Sequence, residues 1–222
     1  MKIASFYKQD ALLRSAASFH SPSRTAPSWL RVVCVAGLVL LAFPALAQVD
    51  IFMSIGGQAA PMGTNPQLKP KLLGSSADQQ YANWIPILSM SHGISLPVTT
   101  GSTGTVVGKS QHADVSVSML MDQSATALNL LVNGSSSGLS VTLPIDYVTI
   151  DFRTPAGGNG PTVFYRMELQ GVYITSVSVS AGGDTPSEYI TLNYQRIRWY
   201  YNSPATGKSS QSGWDLSKNG PY

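Results

Sequence analysis

FYRMELQGVYITSVSVSAGGDTPSEYITLNYQRIRWYY, residues 164–201, decides the fold. Two runs rich in Val, Ile, Thr and Tyr flank the turn-forming patch Ala-Gly-Gly-Asp-Thr-Pro at 181–186. That is the pattern of two long antiparallel strands. In the first run Tyr165, Met167 and Leu169 fall on one side, and Arg166, Glu168 and Gln170 on the other. The second run places Ile190, Leu192 and Tyr194 inward and continues with Ile197, Trp199 and Tyr201, so its apolar phase slips near Gln195. The first run slips between Ile174 and Val177. Side chains on a strand alternate with a period of two, so a slip marks a bulge or a hand-over between sheet faces. Strands of this kind suit a barrel or a sandwich better than a flat sheet. On this reading Arg166, Glu168, Arg196 and Arg198 face solvent or a neighbouring molecule.

Residues 50–55 read as a first short strand with Ile51, Met53 and Ile55 on one face. Residues 56–83 form a long connection rich in Pro and Gly, which excludes a continuous helix or central strand. Residues 84–94, WIPILSMSHGI, read as the next strand, with Trp84, Leu88, Met90 and Ile94 in one phase. Residues 95–109, SLPVTTGSTGTVVGK, form a second long connection whose Val and Thr content can become β structure against a partner. Val115, Val117 and Met119 mark another strand. The stretch SATALNLLVNG at 124–134 predicts a helix, capped by Ser124, assisted by Asp122 and closed by Gly134, with Leu128, Leu131 and Val132 as its apolar face. Residues 139–152 predict a strand with a slip near Tyr147, and 154–162 a turn. The tail from 202 to 222 is polar and contains Ser212-Gly-Trp-Asp215.

The bulk numbers narrow the class. Only 11% of the 222 residues are charged while 43% are hydrophobic, which suits a turn-rich β domain and argues against a coiled coil. The formal charge of +3 comes from the N-terminus. From Gln48 onward five Lys and four Arg face eight Asp and two Glu, a net −1. No basic stripe remains, so nucleic acid is not an expected partner.

Residues 1–47 read as a signal peptide or N-terminal leader, and 48–222 as the folded domain. A basic region ends at Arg31, an apolar run spans 32–43, and Ala45-Leu46-Ala47 is a cleavage signal. The apolar run is shorter than the roughly 20 residues of a membrane-spanning helix, so no stable membrane insertion is expected once the leader is removed. The single cysteine, Cys34, lies inside that run, so the remaining chain has neither disulfides nor thiolate chemistry.

No catalytic constellation stands out. His92 and His112 sit in different elements without the spacing of a metal site, and they read as hydrogen-bonded or surface histidines. The carboxylate pairs Asp146/Asp151 and Glu168/Glu188 read as solvated strand faces. Gly157-Gly-Asn-Gly160 is a turn rather than a phosphate cradle, since no helix or Lys-Ser/Thr pair follows it. Neither an enzyme nor a cofactor is expected. A hydrolase or lectin built on the long loops would require a converging polar set, and none is visible.

Five blocks in order resemble the Hcp family, the tube protein of the type VI secretion system: residues 49–55, 84–94, 113–125, 165–201 and Gly213-Trp-Asp215. The resemblance implies a mainly β fold, a six-stranded Hcp-like β-barrel with one side helix and long loops. It implies six copies closing into a homo-hexameric ring, rings stacking into a hollow tube, and spike, sheath and effector proteins as further partners. It assigns contact with the next ring to the loop carrying Thr99, Thr100, Gly101, Ser102, Thr103, Gly104, Thr105 and Val106. Localisation is then extracellular, reached by type VI export or through the leader, with a periplasmic stage in the second case. A leader is not usual for the family. It keeps a second expectation open, that of a secreted carrier or binding protein on the same barrel, acting outside the cytoplasm as a ring or a monomer.

Overall fold

The 164–201 stretch forms three strands rather than two. In the computed structural model, which describes residues 49–57, 70–157 and 160–222, the chain runs through β1 (Asp50–Ile55), β2 (Ile85–Ile87), β3 (Ser89–Ser91), β4 (Ile94–Ser95), β5 (Val98–Gly101), β6 (Gly104–Val107), β7 (Gln111–His112) and β8 (Val115–Leu120). Helix α1 (Ala125–Val132) follows, then β9 (Ile145–Gly157), β10 (Gly160–Ser180), β11 (Ser187–Asn193), β12 (Arg196–Asn202), β13 (Ser209–Asp215) and β14 (Gly220–Pro221). The expected leader lies outside the described residues.

β10 is the spine. Its first half pairs with β12 from Tyr165↔Tyr201 to Gln170↔Arg196, and its second half pairs with β11 from Tyr173↔Asn193 to Ser180↔Ser187. The slip expected near Gln195 is the break between β11 and β12. The slip between Ile174 and Val177 is a register shift between Ile174 and Ser176. Opposite the break, β10 bends at Gly171, with φ +62°. That backbone conformation favours glycine, and a Cβ there would stand 2.9 Å from the end of the Gln195 side chain, which would have to move aside.

The pairings run in a circuit. β1 joins β9, β9 joins β10, β10 joins β11, β11 joins β8, and β8 joins β3. β3 leads back through Leu88 into β2, which pairs with β1. With β2 and β3 counted as one bent strand, six strands surround a core that includes Met53, Ile55, Val117, Met119, Val148, Ile150, Met167, Leu169, Ile190 and Leu192. The mainly β architecture and side helix match the expectation. β12, β13 and β14 extend the sheet beyond the circuit.

Three sequence expectations change. Residues 84–94 do not form one strand with one phase. Ile85 and Ile87 are buried, while Leu88 and Ile94 are exposed. The cause is the corner at Leu88, whose N–H donates to the Ser118 carbonyl (2.8 Å) as the chain passes from β1 to β8. The strand expected from 139 begins only at Ile145, and the turn expected over 154–162 contracts to the link between Gly157 and Gly160. In α1, Ser124 makes no side-chain cap. Instead Asp122 accepts from the Ser124 N–H (2.8 Å) and hydroxyl (2.5 Å), which fixes the turn entering the helix. Leu128 and Leu131 are buried as expected, and Gly134, at φ +75°, closes the helix.

The largest correction concerns the supposedly solvated face of β10. Arg166 is 2% exposed, Glu168 3%, and Asp151 and Glu188 are 0% exposed. The strand register sets Phe52, Asp151 and Arg166 side by side across β1, β9 and β10. The connection over 70–84 folds across this face. Tyr81 stacks on Phe52 (4.4 Å, 11° between planes) and meets Trp84 edge-on, forming a second apolar cluster. Beneath that cover, Arg166 grips Asp151 with two bonds, Nε to Oδ1 (2.5 Å) and an Nη to Oδ2 (2.7 Å). The Tyr81 hydroxyl donates to Asp151 Oδ2 (3.1 Å). Burial, and then the Asp151 charge, hold the Tyr81 phenol well above its ordinary pKa. Next to it Arg153 bridges Asp50 and Asp78, each at 2.9 Å, and lies over the Phe52 and Tyr81 rings. Two guanidinium groups and three carboxylates thus tie three strands to the loop that covers them.

Removing one partner of a buried ion pair leaves a charge without compensation. Arg166→Ala or Asp151→Ala is expected to lower stability by about 3–5 kcal/mol in urea unfolding, and the double replacement Asp151→Leu with Arg166→Met by less than either single change. Glu188 poses the opposite case. It points to the same side as Ile190 and Leu192, and neither carboxylate oxygen has a hydrogen-bond partner. Burial, and then the charge of Asp122, raise its pKa. A carboxyl with a raised folded-state pKa binds its proton more tightly when folded, so its contribution is most favourable below the ordinary value of 4.5 and declines as pH rises towards the folded value. Glu188→Gln is therefore expected to raise the Tm near neutral pH and to change it little near about pH 4, as read by thermal unfolding at both pH values.

Candidate functional site

The eight residues expected to contact a neighbouring ring lie together in one hairpin. Thr99, Thr100 and Gly101 belong to β5, Ser102 and Thr103 make the turn, and Gly104, Thr105 and Val106 belong to β6. The ladder runs Val98↔Val107, Thr99↔Val106, Thr100↔Thr105 and Gly101↔Gly104. Every one of these residues is exposed, including Val98, Val106 and Val107. The sequence supports this hairpin locally, because β-branched residues fill both strands and glycines flank the turn. Among the described residues its sheet contains these two strands alone, with no third strand or apolar layer behind it.

A second short ladder forms the base of this arm. β4 pairs with β7 through Ile94↔His112 and Ser95↔Gln111. The Gly108 N–H donates to the Pro97 carbonyl (2.8 Å) between the two ladders. At the root, the Ala113 N–H reaches the Gly93 carbonyl (2.9 Å), and the Ser110 hydroxyl reaches Asn219 Oδ1 (3.1 Å) beside β14. The arm thus spans 94–112, with one end on the barrel and the other free.

His92 and His112, separate in the sequence, converge at this root. His92 Nε2 is 2.7 Å and His112 Nδ1 3.0 Å from the hydroxyl of Tyr194, the first of two residues in the break between β11 and β12. The rings of Trp199 and Trp214 stack against His112 at 6.4 and 6.3 Å. Both histidines have lowered pKa values, His92 through burial and then the neighbouring His112, and His112 through burial. Burial, and then Asp114, raise the Tyr194 phenol. The expectation of hydrogen-bonded histidines holds, but their shared partner was not legible, because Tyr194 reads in sequence only as an inward residue of a strand. Among the described residues no group of three or more His, Cys, Asp or Glu is arranged to hold a metal ion.

Elsewhere the C-terminal strands carry a polar cluster. Asp215 accepts from the Ser217 hydroxyl (2.5 Å) and from Arg196 Nε (2.8 Å). These bonds, Ser217 first and Arg196 next, hold its pKa down to about 2. The Arg198 and Arg196 guanidinium groups lie over the Tyr222 ring at 4.8 and 5.6 Å. The Gly-Trp-Asp block therefore anchors the end of the chain. Arg196 and Arg198 remain partly open at the surface, unlike Arg166.

The fold of the chain is similar to that of solved type VI secretion proteins. The structure is similar to a solved type six secretion system protein at 22% identity, covering 79% of this chain and all of that one, with a TM-score of 0.61. Hcp1 from Salmonella typhimurium matches at 18% identity, over 80% of this chain and all of that one, with a TM-score of 0.58. A type VI secretion system effector from Yersinia pestis matches at 15% identity, over 75% of this chain and all of that one, with a TM-score of 0.53. At these identities the likeness speaks for the fold alone. No curated protein sequence matches the chain. Membership comes from the sequence itself, where residues 52–201 match the family described as "Type VI secretion system effector, Hcp". The chain belongs to the Hcp family.

Because the arm tip has no buried side chain, removing it takes nothing from the core. Deleting 99–106 is expected to shift stability by no more than about 0.5 kcal/mol, as measured by urea unfolding of the purified chain.

Proposed function

We propose that this chain is a structural tube subunit of a type VI secretion system, with a mechanical rather than catalytic role. Family membership over residues 52–201 supports the system. The observation that supports the mode of assembly is the β5–β6 hairpin, exposed on both faces along its whole length. An isolated two-stranded hairpin is marginally stable in water, and its outer edges offer unpaired backbone groups. A receiving surface on another copy satisfies both needs. In this reading six copies close head-to-tail into a ring, and the arm carrying Thr99 to Val106 reaches the next ring. The first interface closes on itself; the second does not, and it generates a tube.

Spike, sheath and effector proteins are the partners that this role brings, and export places the protein outside the cell. Among the described residues no helix is long and apolar enough to cross a membrane. The leader expected at 1–47 is the motive for the second reading, a secreted carrier on the same barrel. The N-terminal residue of the exported protein, read by mass spectrometry, separates the two, since Met1 on exported protein argues for type VI export and a start near 48 for the carrier.

Assembly is the direct test. Electron microscopy of the purified chain is expected to show rings and short stacks. Deletion of 99–106 is expected to leave rings while abolishing stacks. A wild-type chain that stays monomeric at high concentration would overturn the tube reading, and stacks persisting after the deletion would remove the arm from it.

A further inference from the structure

We propose that His92, Tyr194 and His112 form a proton-operated latch that seats the arm on the barrel near neutral pH and releases it in mild acid. The observation behind it is a count of protons around one oxygen. The Tyr194 hydroxyl lies 2.7 Å from His92 Nε2 and 3.0 Å from His112 Nδ1. A phenol has one proton to give and can accept others, and a neutral imidazole has one N–H and one bare nitrogen. With both rings neutral, Tyr194 donates to one ring and accepts from the other, and all three groups are satisfied. Once the accepting ring gains a proton, both rings can only donate. The Tyr194 proton then has no acceptor within the trio, and the new charge sits half-buried beside a second imidazole 6.1 Å away, centre to centre.

The surroundings do little to relieve that charge. Across the β4–β7 ladder His112 faces Ile94. From β12 and β13 it meets the indole rings of Trp199 and Trp214, whose centres at 6.4 and 6.3 Å lie just beyond the roughly 6 Å within which an aromatic face holds a cation firmly. The charged group that acts on Tyr194 is Asp114; it holds the Thr175 hydroxyl (2.7 Å) and the Asn193 amide (2.8 Å), while burial outweighs any attraction at the two histidines. The lowered pKa of both histidines agrees with this geometry. A lowered value in the latched state means that the released state takes up the proton more readily. Release is therefore favoured as pH falls below the ordinary value of 6.5.

The latch controls the arm because His112 belongs to β7, half of the ladder at the arm base, while Tyr194 belongs to the barrel wall. Losing that tether leaves the root with the Ala113–Gly93 and Ser110–Asn219 bonds alone among those described. Acid would then weaken any contact made through the arm; this consequence for ring stacking rests on the tube reading above, whereas the latch itself does not.

Hydrogen–deuterium exchange of the full chain, followed by mass spectrometry and corrected for intrinsic exchange, reads the latch directly. Peptides covering 94–112 are expected to lose protection between about pH 7.5 and about pH 5, by up to about tenfold per pH unit for each proton taken up, while β9 and β10 keep theirs. Replacing both histidines (His92→Gln with His112→Gln) keeps groups that donate and accept but do not titrate, and protection of the arm is expected to become independent of pH. Tyr194→Phe removes the hub and is expected to leave the arm unprotected at both pH values. Equal protection of the wild-type arm at both pH values, an equally steep fall in the glutamine variant, or loss of protection throughout the barrel in acid would overturn the latch. Electron microscopy of the same samples is read separately: stacks that vanish only where the arm is released support the regulatory consequence, while stacks indifferent to a released arm overturn that consequence.

Discussion

The fold depends on a charge that cannot reach water. Asp151 sits on β9 with no exposure, and Arg166 on β10 closes on it with two bonds while Tyr81 adds a third. Desolvating such a pair costs several kcal/mol per ion, and the cost is recovered only when every lone pair finds a donor. That requirement reaches outward. Tyr81 must lie over Phe52, so the connection over 70–84 must cross the sheet, and Arg153 with Asp50 and Asp78 ties it there. Over β1, β9 and the first half of β10 the wall thus has an apolar inner face and an outer face that is buried as well. That part of the wall, closed on both sides, has few ways to shift register, because a slip of one residue would exchange the two layers.

That rigidity contrasts with the arm. The barrel orders its strands by burying side chains, whereas β5 and β6 bury none. Hydrogen bonds between two strands stabilise only modestly on their own, since water offers the same bonds to the open chain. The exposed Val98, Val106 and Val107 gain from being covered at about 25 cal/mol per Å². Among the described residues nothing in the chain covers them. The division is between a wall ordered by burial and a hairpin ordered by backbone pairing alone. A nearly neutral domain, net −1 beyond Gln48, allows like copies to approach without strong repulsion.

Much of this was legible in sequence, and the rest fails for identifiable reasons. The β10–β11–β12 unit could be read because alternation, phase slips and turn residues are local. The helix and its glycine end could be read on the same ground. The burial of Arg166, Glu168 and Asp151 could not. Alternation says that two faces differ, but not that the second is covered, and the cover comes from a connection whose Pro and Gly suggested only a loop. The corner at Leu88 was hidden because a run of 84–94 with a single phase fits one strand as well as two. The arm residues were placed by resemblance rather than by any pattern of their own. Their hairpin form is consistent with the β-branched content of that stretch.

The three-residue cluster at the arm root shows how such information is lost. Two histidines twenty residues apart carry no signature, and a tyrosine eighty-two residues beyond the second carries none either. What joins them is the break between β11 and β12, which frees Tyr194 from ladder pairing and turns it towards the root of another hairpin. The same break lets β12 leave the barrel circuit and pair with β13, bringing Trp199 and Trp214 against His112. One irregularity in the most regular part of the sequence therefore bends the wall, extends the sheet and seats the arm. The slip near Gln195, first visible as a fault in alternation, is the point at which the rigid part of the molecule meets the part that reaches outward.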